Sequence, residues 1–171
     1  MSQPVKKALI VDDEESMRYV LSSQLSKLGY ECVTVSSGRD ALDKAACQDF
    51  DLMMLDVKMP GMSGLEVLGK FRTDHPETCV VVLSALVDAV IAVEAIKRGA
   101  DDYLTKPYHS IDLSKRLQRA HERRELTLQS EREHWPSNEA VRERDTIREI
   151  TKDLVAQQMA VYERLSSRPG R

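Results

Sequence analysis

Short, continuous apolar runs alternate with stretches of helical spacing across residues 5–110, and no other feature of this 171-residue chain narrows the choice of fold as far. The runs are Ala8–Val11, Cys32–Val35, Leu52–Leu55, Val80–Leu83 and Asp102–Leu104, each bounded by acidic or small residues. Unbroken apolar runs of this length suit strands covered on both faces. Between the first two, Met17, Val20, Leu21, Leu25 and Leu28 fall at helical spacing, and Gly29 follows as a C-terminal cap. Ala41, Leu42, Ala45 and Ala46 predict a second helix, with Ser37 as its N-cap. Leu65, Val67, Leu68 and Phe71 predict a third, preceded by Ser63, and Val90 to Ile96 a fourth, stopped by Gly99. Strict alternation of strand and helix demands right-handed crossovers between parallel strands. The expected fold is therefore α/β: a doubly wound five-stranded parallel sheet with helices on both faces, followed by a C-terminal helical extension.

Such a sheet binds ligands at the C-terminal ends of its strands, where the strand order reverses. Asp12 and Asp13 follow the first run, Asp56 ends the third, Ser84 ends the fourth, and Lys106, then Pro107, follow the fifth. Taken singly, each is ordinary: an aspartate or serine there caps a helix, and a lysine there is a solvated loop residue. Together, three carboxylates, a hydroxyl and an ammonium meet on one edge. Clustered carboxylates raise one another's pKa unless a divalent cation relieves them, and Mg²⁺ binds through one or two carboxylates, waters and phosphate oxygens. A carboxylate nucleophile, a metal, a cation and a hydroxyl donor around one PO₃ group make a phosphoryl-transfer site.

Asp12-Asp13 after an apolar strand, Asp56 in LDVKMPGMSGLE, Ser84 in VVLSA and Lys106-Pro107 in GADDYLTKP resemble the receiver domain of two-component response regulators. The similarity covers roughly residues 5–120, about two-thirds of the chain. It implies a flavodoxin-like receiver fold and a signalling switch that accepts a phosphoryl group on Asp56 from a sensor histidine kinase, with Mg²⁺ (or Mn²⁺) as cofactor. It also implies that Asp13 and Asp56 ligate the metal directly, Asp12 through water and Lys58 through its backbone carbonyl. Lys106 and Ser84 would bind the phosphoryl oxygens, with the small Ala85 leaving the path open. Pro107 matches a cis-proline that aims Lys106 into the site. Tyr103, on pattern alone a half-buried packing aromatic, matches an aromatic switch. Met59, Pro60 and Gly61 form a turn by composition, with Met59 and Pro60 serving turn geometry rather than contact. Neither Lys58 nor Leu86, two residues after Asp56 and Ser84, can orient an attacking water, so slow self-dephosphorylation is expected.

Two other readings remain. An aspartate-nucleophile phosphatase or phosphotransferase commonly carries a second aspartate where Lys58 stands. A pseudo-receiver scaffold would have no need of the complete set of Asp12, Asp13, Asp56 and Lys106. The chain is thus expected not to be an enzyme, apart from its own Mg²⁺-dependent phosphorylation and slow dephosphorylation.

Composition excludes more than it assigns. Net charge is −3, which offers no basic excess for a run of phosphates, so direct nucleic-acid binding is not expected. Cys32, Cys47 and Cys79 are odd in number and widely spaced, which speaks against a disulfide framework or zinc site and leaves them as small apolar residues. No run reaches the length of a membrane span, and the N-terminus is not a signal peptide, so a cytoplasmic location is expected.

Residues 1–122 are assigned to the receiver and 123–171 to a charged helical extension, a possible coiled coil or a linker to an absent output domain. Leu113, Leu117 and Ala120 continue a last receiver helix that runs on through HERRELTLQSERE. Trp135-Pro136-Ser137-Asn138 breaks it, and beyond the break Ile147, Ile150, Leu154 and Val161, with Gln157 at the intervening position, follow three-and-four spacing. A lone helix of this kind is marginal in water, so its apolar stripe must be covered. Dimerisation through these C-terminal helices is the expectation, with an intramolecular fold-back as its chief rival. No helix-turn-helix or other output motif is visible.

Overall fold

The computed structural model describes residues 5–85 and 89–132 and, in the tail, Glu143, Thr146, Ile147, Glu149, Ile150, Asp153 and Leu154. Five strands and five helices alternate: β1 (Lys6–Val11), α1 (Glu15–Lys27), β2 (Tyr30–Val35), α2 (Gly38–Ala45), β3 (Leu52–Asp56), α3 (Gly64–Asp74), β4 (Cys79–Ser84), α4 (Ala89–Lys97), β5 (Asp102–Thr105) and α5 (Ser110–Arg132). All neighbouring strands pair in parallel, in the order β2-β1-β3-β4-β5. The order reverses between β1 and β3, which opens a crevice above their C-terminal ends.

Alternation along each strand sorts the side chains between two faces. Leu9, Val11, Met53, Leu55, Val80, Val82 and Tyr103 share one cluster with residues of α2, α3 and α4, such as Ala41, Phe71 and Ala95. Ala8, Ile10, Met54, Val81, Leu83 and Leu104 share the other with Leu21 and Leu25 of α1 and Leu113, Leu117 and Ala120 of α5. The inner strands β3 and β4 are buried throughout, as their unbroken apolar runs require. β2 departs from that expectation: only Val35 is fully buried, because β2 is a sheet edge with solvent along one side.

The helix starts follow their capping chemistry. Ser37 accepts from the backbone N–H of Asp40. Ser63 and Glu66 form a reciprocal capping box that satisfies two otherwise unpaired donors. Gly29 closes α1 at a φ of 90°, a conformation that disfavours side chains with a Cβ.

Two smaller expectations are corrected. Cys79 is buried and Cys32 half-buried, but Cys47 is exposed, just past the end of α2. Met59 is buried in the core cluster, so it packs as well as turns. A structural feature lies at the opposite pole from the crevice. The buried Asp101 carboxylate holds Arg72 at 3.2 Å and Arg124 at 2.9 Å and accepts from the Val80 N–H. Arg124 thereby ties the extended part of α5, which passes residue 122 without a break, to the receiver.

The described part of the tail's stripe is covered within the chain. Ile150 and Leu154 are 1% and 5% exposed and belong to the same core cluster as Tyr103, with Ile147 packed against it. This is the fold-back that the sequence left as the rival to dimerisation. Trp135–Asn138, Gln157, Val161 and Leu86 lie outside the described residues.

Candidate phosphoryl-acceptor site

β1 ends at Val11 and delivers Asp12 and Asp13 to the crevice; β3 ends on Asp56 beside them. The carboxylate oxygens of these three residues come within 4.8 Å of one another, a spacing suited to one shared cation. Their surroundings differ. Asp12 is fully buried, Asp56 is 5% exposed, and Asp13 is exposed.

Lys106 reaches in from the end of β5. Its Nζ donates to Asp12 Oδ2 at 2.6 Å and to Asp56 Oδ1 at 2.9 Å. The Lys106 N–H donates to the Ser84 carbonyl at 2.7 Å, which holds the end of β5 against the end of β4, and the Lys106–Pro107 peptide is cis. The other oxygen of Asp12 accepts from the Glu14 N–H at 2.9 Å, so both of its oxygens are already engaged by the protein. Ser84 is buried at the end of β4, the next residue, Ala85, is exposed, and Tyr103 is 2% exposed in the core cluster below. Lys58 is exposed in the loop that leaves Asp56.

Electrostatics follow from this packing. Burial pushes the Asp56 carboxyl above its ordinary value; Lys106 pulls it back, and Asp12 and Asp13 add to the rise. Burial alone would lower the Lys106 ammonium, but its bonds and charge pairing with Asp12 and Asp56 outweigh that and raise it. Lys106 is therefore a firm cation, and Asp56 carries a charge that its surroundings only partly welcome. A divalent cation or an incoming phosphoryl group would change that balance most at Asp56.

Two supporting residues escaped the sequence reading. The Arg18 guanidinium donates to the carbonyls of Asp12 and Asp13 at 2.8 and 2.9 Å, fixing the acidic turn. Gly64 lies so close to Asp56 that a Cβ there would sit 2.0 Å from the Asp56 carbonyl oxygen. Nothing in the sequence marks Arg18, which resembles any exposed helix arginine. The Ser63-Gly64 pair at the start of α3 was the available signal for Gly64.

Known proteins share this frame. The chain is 41% identical over 101 residues to the DNA-binding transcriptional regulator NtrC of Klebsiella pneumoniae, covering 59% of this chain and 22% of that protein. It is 36% identical over 125 residues to the alkaline phosphatase synthesis transcriptional regulatory protein PhoP of Bacillus subtilis, covering 73% and 52%. The chain thus spans between about a fifth and a half of these relatives. Among solved structures, the chemotaxis protein CheY4 of Vibrio cholerae superposes with a TM-score of 0.65 at 35% identity, covering 68% of this chain and 99% of that one. The response regulator TrrA of Thermotoga maritima, solved with Mg²⁺ and BeF, superposes with a TM-score of 0.62 at 33% identity, covering 67% and 98%. A profile of the response regulator receiver domain matches residues 8–118. With the sheet order, the acidic crevice and its lysine in place, the chain belongs to the response regulator receiver family, the phosphorylation-controlled switches of two-component signalling.

Proposed function

We propose that Asp56 accepts a phosphoryl group from a phosphohistidine of a partner sensor histidine kinase, in a reaction assisted by Mg²⁺ or Mn²⁺. The observation that carries this reading is Lys106 Nζ bonded to both Asp12 and Asp56 beside the three-carboxylate cluster. Receivers of this family take phosphoryl groups from histidine kinases and are not in general enzymes acting on a separate substrate. Asp56 is the nucleophile: one of its oxygens forms the new O–P bond as the N–P bond of the donor breaks, and the histidine leaves with the electron pair. Asp13, exposed at the mouth, and Asp56 would hold the metal directly. Asp12, with both oxygens engaged, would act through water, and the Lys58 carbonyl would complete the protein ligands. The metal's contribution is to neutralise charge on the transferring group. Lys106 then pairs with the phosphoryl oxygens, Ser84 donates a hydrogen bond to them, Ala85 leaves the approach open, and Tyr103 follows the movement of Ser84.

On this reading residues 1–122 are the switch and 123–171 an extension. Relatives that bind DNA are longer than the match, so whether this receiver serves a nucleic-acid-binding output is decided outside the matched region. Incubation with phosphoramidate and Mg²⁺, followed by intact-mass measurement, tests the proposal. Wild-type protein should gain one phosphoryl group, and chelation or Asp56→Asn should prevent it. Equal phosphorylation of Asp56→Asn would refute it.

A further inference from the structure

Arg18 stands near the start of α1, close in sequence to four acids, Asp12, Asp13, Glu14 and Glu15. A cation at that end of a helix gains nothing from the helix dipole. Among the described residues its guanidinium forms no ion pair with any carboxylate. Instead one nitrogen, Nη1, donates to two successive carbonyls, Asp12 O at 2.8 Å and Asp13 O at 2.9 Å.

Those carbonyls belong to the two peptide planes that flank the Asp13 Cα. Planar peptides leave each residue only two soft torsions, φ and ψ. Tying both carbonyls to one nitrogen constrains the angle between the planes, and so the direction in which Asp13 projects its side chain. The plane beyond Asp13 is held a second time, by the Glu14 N–H on Asp12 Oδ1 at 2.9 Å. The neighbouring acids do not depend on this clamp. Asp12 is buried and bonded through both oxygens, and Asp56 is buried at the end of β3 and bonded to Lys106. Asp13 is exposed, and among the described residues its carboxylate has no hydrogen bond or ion pair, although its oxygens lie within reach of the shared cluster. Its aim comes from the backbone.

Two effects of Arg18 on a cation held by this cluster oppose each other. Its charge repels the ion, and water at the open mouth screens that repulsion. Its clamp holds a ligand in place, and groups that orient metal ligands are commonly worth about ten- to a hundredfold in affinity. The clamp should therefore outweigh the charge.

We propose that Arg18 is a positioning residue for the site's divalent cation: by clamping the Asp12 and Asp13 carbonyls it orients the Asp13 carboxylate and so sets the affinity for the metal. This role rests on the reading of Asp12, Asp13 and Asp56 as the carboxylates that hold the ion.

Calorimetric titration of the full chain with Mg²⁺ tests it. Arg18→Met and Arg18→Ala lose the donors yet suit a helix, and melting in chelator identifies which of them is folded; either one decides. Their Kd for Mg²⁺ should rise at least about tenfold. Arg18→Lys, which keeps the charge and a donor, should recover part of the loss. Lys44→Met serves as the charge control, because Lys44 is exposed and lines the same surface recess as Arg18; its Kd should stay the same or fall. With phosphoramidate, the Mg²⁺ concentration giving half the maximal rate should rise in step with Kd, while the rate at saturating Mg²⁺ stays within about twofold of wild type. Unchanged or tighter Mg²⁺ binding by Arg18→Met or Arg18→Ala overturns the clamp and leaves Arg18 as a charge alone. A slower rate at saturating Mg²⁺ with an unchanged Kd overturns it too, by placing Arg18 in the transfer step. Wild type that takes up no Mg²⁺ shows instead that the reading of the acidic cluster has failed, and the role of Arg18 falls with it.

Discussion

Asp56→Asn should stabilise the protein near neutral pH when divalent cations are chelated, although it removes the proposed phosphoacceptor. Burial raises the Asp56 carboxyl above its ordinary 3.8, Lys106 offsets part of that, and Asp12 and Asp13 add to it. The folded state therefore favours the protonated form. Stability gains as pH falls through the raised folded value and levels off below the unfolded one; at neutral pH the ionised carboxylate is a cost. An asparagine oxygen can still accept from Lys106, which keeps its 2.6 Å bond to Asp12. Removing an incompletely compensated buried charge is worth on the order of 1 kcal/mol. For a chain of this size that raises Tm by about 2–4 °C. Thermal melts of both proteins in chelator, from pH 8 down to pH 4, read the effect directly. The gap should close toward low pH as wild type protonates. Mg²⁺ should reverse it by stabilising wild type, by about 1.4 kcal/mol at ten times its Kd. A variant less stable than wild type at neutral pH in chelator, with a gap independent of pH, would refute this account of the site's electrostatics.

Four further expectations follow from named contacts. Gly64→Ala should cost about 1–3 kcal/mol in urea unfolding, because its Cβ would meet the Asp56 carbonyl oxygen at 2.0 Å. Gly69→Ala in the same helix meets nothing within 4 Å and should instead stabilise by about 0.5–1 kcal/mol. Asp101→Asn should cost about 3–5 kcal/mol by the same assay, since it takes the carboxylate from the half-buried Arg72 and the buried Arg124. His121 donates to or accepts from Tyr30 at 2.7 Å, and burial lowers its pKa. Its unfolded form takes up a proton first, so stability should fall as pH drops through the ordinary 6.5, and His121→Phe should flatten that limb of the Tm-against-pH curve.

The legible parts of the molecule were those governed by local pattern. β3 and β4 are buried on both faces, so their apolar runs stand out, and the acids that end β1 and β3 are conspicuous because charge interrupts those runs. Ser37, Ser63 and Gly29 were readable because capping is local chemistry. The long-range partners were not. Arg72, Asp101 and Arg124 meet across 23 and 29 residues, and no spacing rule connects them. Arg18 acts on backbone carbonyls, which leave no trace in side-chain patterns. The apolar stripe of the tail announced that something must cover Ile150 and Leu154. What covers them depends on the arginine spacing of α5 and on the open β5 edge, which only the folded arrangement brings together.

The central claim is that Asp56, among three neighbouring carboxylates, is the one that takes the phosphoryl group. Acyl phosphates can be reduced with borohydride, which converts the modified aspartate to homoserine and marks its position permanently. After treatment with phosphoramidate and Mg²⁺, reduction and peptide mass spectrometry should place homoserine at position 56 alone. Homoserine at position 12 or 13, or phosphate retained on a residue outside the crevice, would contradict the account.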